Sequence, residues 1–116
     1  VDELGSSGKV QTTGSTTTTA LAFTPIDGKT TRVHAEVVAQ SAGVSASYCR
    51  TATFRRAGAE VTQIGVTSAL DGHADAGAAT WFCTIDSVDG QVRVRVTGAI
   101  GATIDWSAFF FDFGCP

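Results

Sequence analysis

Between Val92 and Thr97 apolar and polar side chains alternate without a break, Val92, Val94 and Val96 against Arg93, Arg95 and Thr97. That period of two belongs to a strand, whose successive side chains leave opposite faces of the pleat. One face is aliphatic; the other is basic and wet. Thr103 to Phe113 is a second β-branched and aromatic run, and its parity differs. Ile104, Trp106, Ala108 and Phe110 share one face, while Phe109, Phe111 and Phe113 occupy the other. The intervening Gly98–Ala102, rich in residues that tolerate turn conformations, predicts a long antiparallel hairpin joining the two runs. A strand apolar on both faces needs cover on both. The second cover expected here is another subunit.

Upstream, the same alternation predicts a series of shorter strands. Ala20–Phe23 stops at the turn signal Pro25-Ile26-Asp27-Gly28. In Thr30–Gln40, Thr31, Val33, Ala35, Val37 and Ala39 face one way, and Arg32, His34, Glu36 and Gln40 the other, with Val38 the exception. Ser41–Ser45 reads as a small-residue turn. Tyr48–Arg56 puts Tyr48, Ala52 and Phe54 on the face that also carries Arg50, and an inward-leaning Arg50 needs a carboxylate or carbonyl partner. Val61–Ser68 alternates weakly. Ala79–Ile85 turns Trp81, Cys83 and Ile85 toward the core, and Ser87–Gly90 is a turn with an Asp-Gly signal. Seven or eight short strands separated by turns predict one all-β domain, an antiparallel β-sandwich or jelly roll, over residues 20–116. Residues 1–19 have few apolar side chains and a threonine run, Thr16, Thr17, Thr18 and Thr19. They are expected to form an extended N-terminal arm lying along a neighbour.

Composition narrows the partners. The chain has 116 residues, enough for one core, and a net charge of −3 with its eight basic residues dispersed. This argues against nucleic acid as the main partner, because phosphate binding needs clustered cations. No apolar run is long enough to span a bilayer, so membrane insertion is not expected. The chain begins at Val1, which methionine removal or an earlier cleavage would each produce. Cys49, Cys83 and Cys115 have neither knuckle nor C-x-x-C spacing. Three reduced thiols are expected, with Cys83 in the core; a Cys49–Cys83 bridge and an intersubunit bond at Cys115 are the alternatives.

Chemistry-bearing residues form no recognisable catalytic motif. No serine sits in a G-x-S-x-G elbow, and the pattern places no histidine beside a cysteine. The carboxylates fall in turns, where Asp is favoured for local hydrogen bonding. Asp71, His73 and Asp75 read as a polar surface loop that lacks the ligand count of a calcium loop and the histidine spacing of a zinc site. His34 reads as a solvated or cross-strand paired imidazole. The expectation is a non-enzyme with no catalytic, cofactor-binding or metal-binding residue and no cofactor.

The succession TATFRRAGAEVTQIG, then TW, then QVRVRVTGAIGATIDWSA resembles a β-module of tailed-bacteriophage virion surface proteins. The positions carrying the resemblance are Thr53–Arg56, Val61–Gly65, Trp81, Val92–Ala99 and Thr103–Ala108, within about the last two-thirds of the chain. The three cysteines and the Phe109–Phe113 run depart from that module. The resemblance implies a virion structural role, with assembly in the host cytoplasm and display on the virion surface. The expected form is a capsid decoration or cement protein, a homotrimer bound to the major capsid protein or other virion proteins. Thr16–Thr19, Phe109, Phe110, Phe111 and Phe113 are the expected assembly residues. The alternative is a tail- or head-fibre module that binds a host receptor or surface glycan.

Overall fold

The computed structural model describes residues 2–114, with side chains from residue 6 to residue 112. Eight strands follow one another among these residues: β1 (Asp2–Thr12), β2 (Thr17–Phe23), β3 (Thr30–Ser41), β4 (Val44–Ala57), β5 (Glu60–Ala74), β6 (Phe82–Val88), β7 (Gln91–Thr97) and β8 (Ile104–Gly114). A single 3-10 turn, Ala76–Ala78, precedes β6. All pairings are antiparallel, in a five-stranded sheet of order β1-β8-β3-β4-β5 and a three-stranded sheet of order β2-β7-β6. The outer pairs, first with last and second with seventh, nest as in a jelly roll, while β3, β4 and β5 run as a meander. The protein is an all-β sandwich.

The core is the set of inward rows that the alternation marks. Val33, Ala35, Val37 and Ala39 of β3, Val92, Val94 and Val96 of β7, and Ile104, Trp106, Ala108 and Phe110 of β8 are all buried. Trp81 and Cys83 join them, and Phe110 stacks on Phe23 with ring centroids 5.0 Å apart. Trp106 donates its indole N–H to Thr12 Oγ1 at 2.9 Å, so the one polar atom of this buried ring is satisfied by β1. Two hairpin turns need positive φ at both central residues, and both have it: Ala42-Gly43 (46° and 83°) and Asp89-Gly90 (49° and 79°).

Three expectations change. First, β7 and β8 do not form a hairpin, since they lie in different sheets. Both carry a continuous apolar row, and burying two such rows against each other requires them to face across the core. Residues 98–103 are therefore an arch between sheets. A Cβ on Gly98 would lie 2.6 Å from Thr12 Oγ1 and 3.0 Å from Ile104 Cδ1, so this glycine serves close approach rather than turn freedom.

Second, the division expected at residue 19 falls inside β2, and residues 2–12 are paired with β8 along their whole length. The backbone is extended, as anticipated, but it is engaged within its own chain. Strand β8 sits between β1 and β3 and so has both edges paired. A Gly/Ser/Thr-rich segment can do this with few apolar side chains of its own, because the ladder hydrogen bonds are supplemented by Val10 packed against the core.

Third, the Asp71–Asp75 segment is not a loop: β5 continues through it to Ala74. The outer face of β7 is also less wet than its sequence suggests. Arg93 binds Asp86 through two hydrogen bonds of 2.9 and 3.0 Å, and Arg95 lies 3.7 Å from the same carboxylate.

Candidate functional site

The candidate site is the outer face of the five-stranded sheet. Register places residues of five separate strands in rows across it. One row runs Lys9, Ser107, Val38, Ser47, His73; the next runs Ser7, Phe109, Glu36, Cys49, Asp71. Twist makes the surface concave. Two adjoining depressions of ≈ 960 and ≈ 620 Å³ share Lys9, Val38, Ser47 and Ser107 along their common border, so the face is one trough crossing the sheet. Gln11 donates to Asp105 at 2.8 Å toward one end. At the other stands Phe109, 47% exposed, with its ring 6.3 Å from that of Phe111.

Beside Phe109 lies a cluster that sequence reasoning did not find. Cys49 Sγ is 3.4 Å from His34 Nε2, and the same nitrogen is 3.2 Å from Glu36 Oε2. The His34 ring stacks on Phe111, centroids 4.9 Å apart. The signal was present in the turn: centring the hairpin on Ala42-Gly43 sets Glu36 opposite Cys49, one row from His34. This corrects the expectation that no histidine stands beside a cysteine. The group does not make an activated nucleophile. Burial, with Glu36 and Asp71 nearby, raises the Cys49 thiol above its ordinary pKa and disfavours the thiolate. One imidazole nitrogen also serves both the thiol and the carboxylate, so no second group orients the ring as a general base requires.

Cys49 faces outward and Cys83 inward, both as free thiols, which removes the Cys49–Cys83 bridge. Burial pushes the Cys83 thiol up to about 11. Cys115 lies outside the described residues. Asp75 Oδ2 accepts the Ser45 N–H at 2.9 Å while Asp71 lies 3.5 Å from His73, so the three residues do not converge on a common point. Among the described residues no group of three or more such side chains is spaced to hold a metal ion.

The expected assembly residues are not brought together. Thr17, whose hydroxyl is 2.9 Å from that of Thr97, and Thr19, opposite Arg95, face outward on β2 of the three-stranded sheet. Thr16 is exposed ahead of β2, and Thr18 is half-buried with its hydroxyl on Thr16 O. Phe109 and Phe111 face outward on the opposite side of the sandwich. Phe110, at 2% exposure, is core and offers nothing to a partner. The Phe113 side chain lies outside the described residues.

No protein-family model matches the chain, and no curated protein matches it in sequence. The fold does have counterparts among solved structures. The tailspike protein of Acinetobacter baumannii phage AM24 superposes over 98% of this chain with a TM-score of 0.55 at 9% identity. The tailspike protein of Acinetobacter phage vB_ApiP_P1 aligns over 97% with a TM-score of 0.46 at 15% identity. This chain spans 27% and 21% of those two proteins. The sandwich described above is thus a fold that also occurs as one part of a much longer phage tailspike.

Proposed function

We propose that this chain is a module of a bacteriophage virion surface protein, carried on a tail appendage, and that it works by binding rather than by catalysis. The observation that carries the reading is the fold shared over 98% of the chain with part of a phage tailspike. The sequence resemblance to virion β-modules supports the same reading from separate grounds. The trough on the five-stranded sheet supplies a surface suited to contact: it mixes polar side chains such as Lys9, Glu36 and Ser47 with exposed apolar ones at Val38 and Phe109, and it is built on strands rather than on loops.

Trimeric capsid decoration is the second reading, favoured by the outward pair Phe109 and Phe111, which would bury well against a shell protein or another copy. It loses part of its original ground, because Phe110 is internal and residues 2–12 are paired at home rather than free to bridge capsomers.

Labelling and copy number divide the two. Gold-tagged antibody against the chain, applied to particles of the encoding phage, is expected to mark the tail, with few copies per major capsid protein. Uniform marking of the head at hundreds of copies would establish decoration instead. Intact particles that bind no antibody and contain none of the chain would overturn both.

A further inference from the structure

A second concavity opens on the other side of β4 and β5, between the two sheets. Five strands face three, so the far end of β5 is left uncovered, and every residue from Ser68 to Gly77 is exposed. The cleft there measures ≈ 510 Å³ and is lined by Tyr48, Arg50, Leu70, His73, Trp81 and Phe82, among others. Its volume is in the range of small-molecule sites.

Arg50 is the charged group of this cleft. Its Nε–H donates to Cys83 O at 3.0 Å, and Nη1 donates to Cys49 O at 3.2 Å and to Asp71 O at 3.5 Å. The sequence required a carboxylate or carbonyl partner, and carbonyls are what it has. Carbonyls accept the N–H bonds without neutralising the charge. Among the described residues no carboxylate pairs with Arg50, and Nη2, the outer edge of the fork, has no protein acceptor. Asp71 lines the cleft too, but its carboxylate is directed to Gly72 N (2.8 Å) and toward His73 (3.5 Å).

The guanidinium lies 5.1 Å from the Tyr48 ring centroid and 6.0 Å from that of Phe82. Phe82 is 52% exposed and Leu70 57%, which makes an apolar rim around a cation. A β-bulge sits at the same place, where Cys49 and Arg50 face Asp71 and Ala69 with Leu70 as the extra residue. Bulges of this kind re-aim side chains beside sites. Tyr48, in the cleft wall, also carries a buried hydroxyl without a hydrogen-bond partner.

From this arrangement we infer that the cleft is a binding site for a small ring-bearing carboxylate, with Arg50 Nη2 taking the carboxylate and Phe82 and Leu70 packing on the ring. A fixed, uncompensated guanidinium beside low-dielectric walls favours an anion, and a charge-assisted bond to a carboxylate is the strongest it can form. The inference does not rest on the virion role, and the cleft adjoins the outer-face trough across β4 and β5, with Asp71 and His73 on their common border.

The test is titration of the whole chain with benzoate and glucuronate, and with the neutral counterparts benzamide and glucose, at constant ionic strength. NMR of the Arg50 Nε–H and Trp81 indole N–H gives the readout. One or both acids should saturate with Kd of about 1 mM or tighter, and each neutral counterpart should bind at least about ten-fold more weakly than its acid. Benzoate above glucuronate would mark an apolar ring ligand, and the reverse order a sugar acid. Arg50→Gln should abolish the shifts. Because Arg50 also ties the sheets together through Cys83 O, Leu70→Glu is the companion variant. It places a carboxylate at the mouth without touching the core, and should weaken acid binding by about ten-fold or more. Equal affinity for acid and neutral probe, no saturable shift with either acid, or a folded Leu70→Glu that binds unchanged would overturn the inference.

Discussion

The aromatic run of β8 gives a sharp test, because neighbouring phenylalanines have opposite surroundings. Phe110 is 2% exposed and stacked on Phe23, whereas Phe109 is about half exposed, with Phe111 beside it. Truncating a core phenylalanine to alanine costs about 3–5 kcal/mol, as the lost transfer energy adds to the cavity left behind. The Phe23 stacking contributes part of it, about 1 kcal/mol. Phe110→Ala should therefore cost about 4 kcal/mol. Phe109→Ala removes a side chain that already meets water, and should cost about 1 kcal/mol or less. Against a domain stability of about 5–15 kcal/mol, the first change is severe and the second minor. Urea unfolding followed by tryptophan fluorescence is the assay, since Trp81 and Trp106 are both in the core. Unchanged m-values for the two variants would confirm that the midpoints report stability alone. Similar losses for both variants would refute the assignment of Phe109 to the outer face of a free chain. If the Phe109 effect also grew with protein concentration, the covering surface would be a second copy.

The docking of β1 against β2 is tested by Gly8→Ala: the new Cβ would meet Ala20 O and Leu21 Cδ2 at 2.8 Å, so a loss of about 1–3 kcal/mol is expected by the same denaturation assay. A neutral result would mean that residues 2–12 leave the sheet in solution. Ala42 holds φ of 46° in the Ala42-Gly43 turn, and Ala42→Asn should raise the melting midpoint, stabilising by about 0.5–1 kcal/mol; an unchanged or lower midpoint counts against that turn conformation. The Cys83 thiol, held near 11 by burial, keeps its proton in the folded chain when the unfolded chain has lost it. Its contribution is thus complete below pH 9 and falls as pH rises toward 11, by about 2 kcal/mol across that window. Cys83→Ala should flatten the alkaline decline relative to wild type, and identical slopes would refute the shift. At pH 8 a thiol reagent should label Cys49 in the folded chain and reach Cys83 only on unfolding, as mass spectrometry of the digested protein would show.

Much of this protein is local in origin and could be read from the chain. Alternation along β3, β7 and β8 separated the inward rows from the outward ones residue by residue, down to the opposite parity of Phe110 and Phe109, because a strand leaves no choice of face once one residue is placed. The Asp89-Gly90 turn and the need of Arg50 for an acceptor were legible for similar reasons of local sterics and charge. What alternation does not contain is the partner of each strand. Two apolar rows joined by a glycine-rich link satisfy the same pattern whether they pair edge to edge or face each other across a core. Only the packing of the whole chain chose the second for β7 and β8. The same holds for β1, whose small polar residues show no apolar period and become a strand because the paired edge of β8 receives them. The trough, the Cys49–His34 contact and the Arg50 cleft arise from register among strands distant in sequence and from five strands facing three. Those are properties of the assembled sheets, and no single stretch of the chain encodes them.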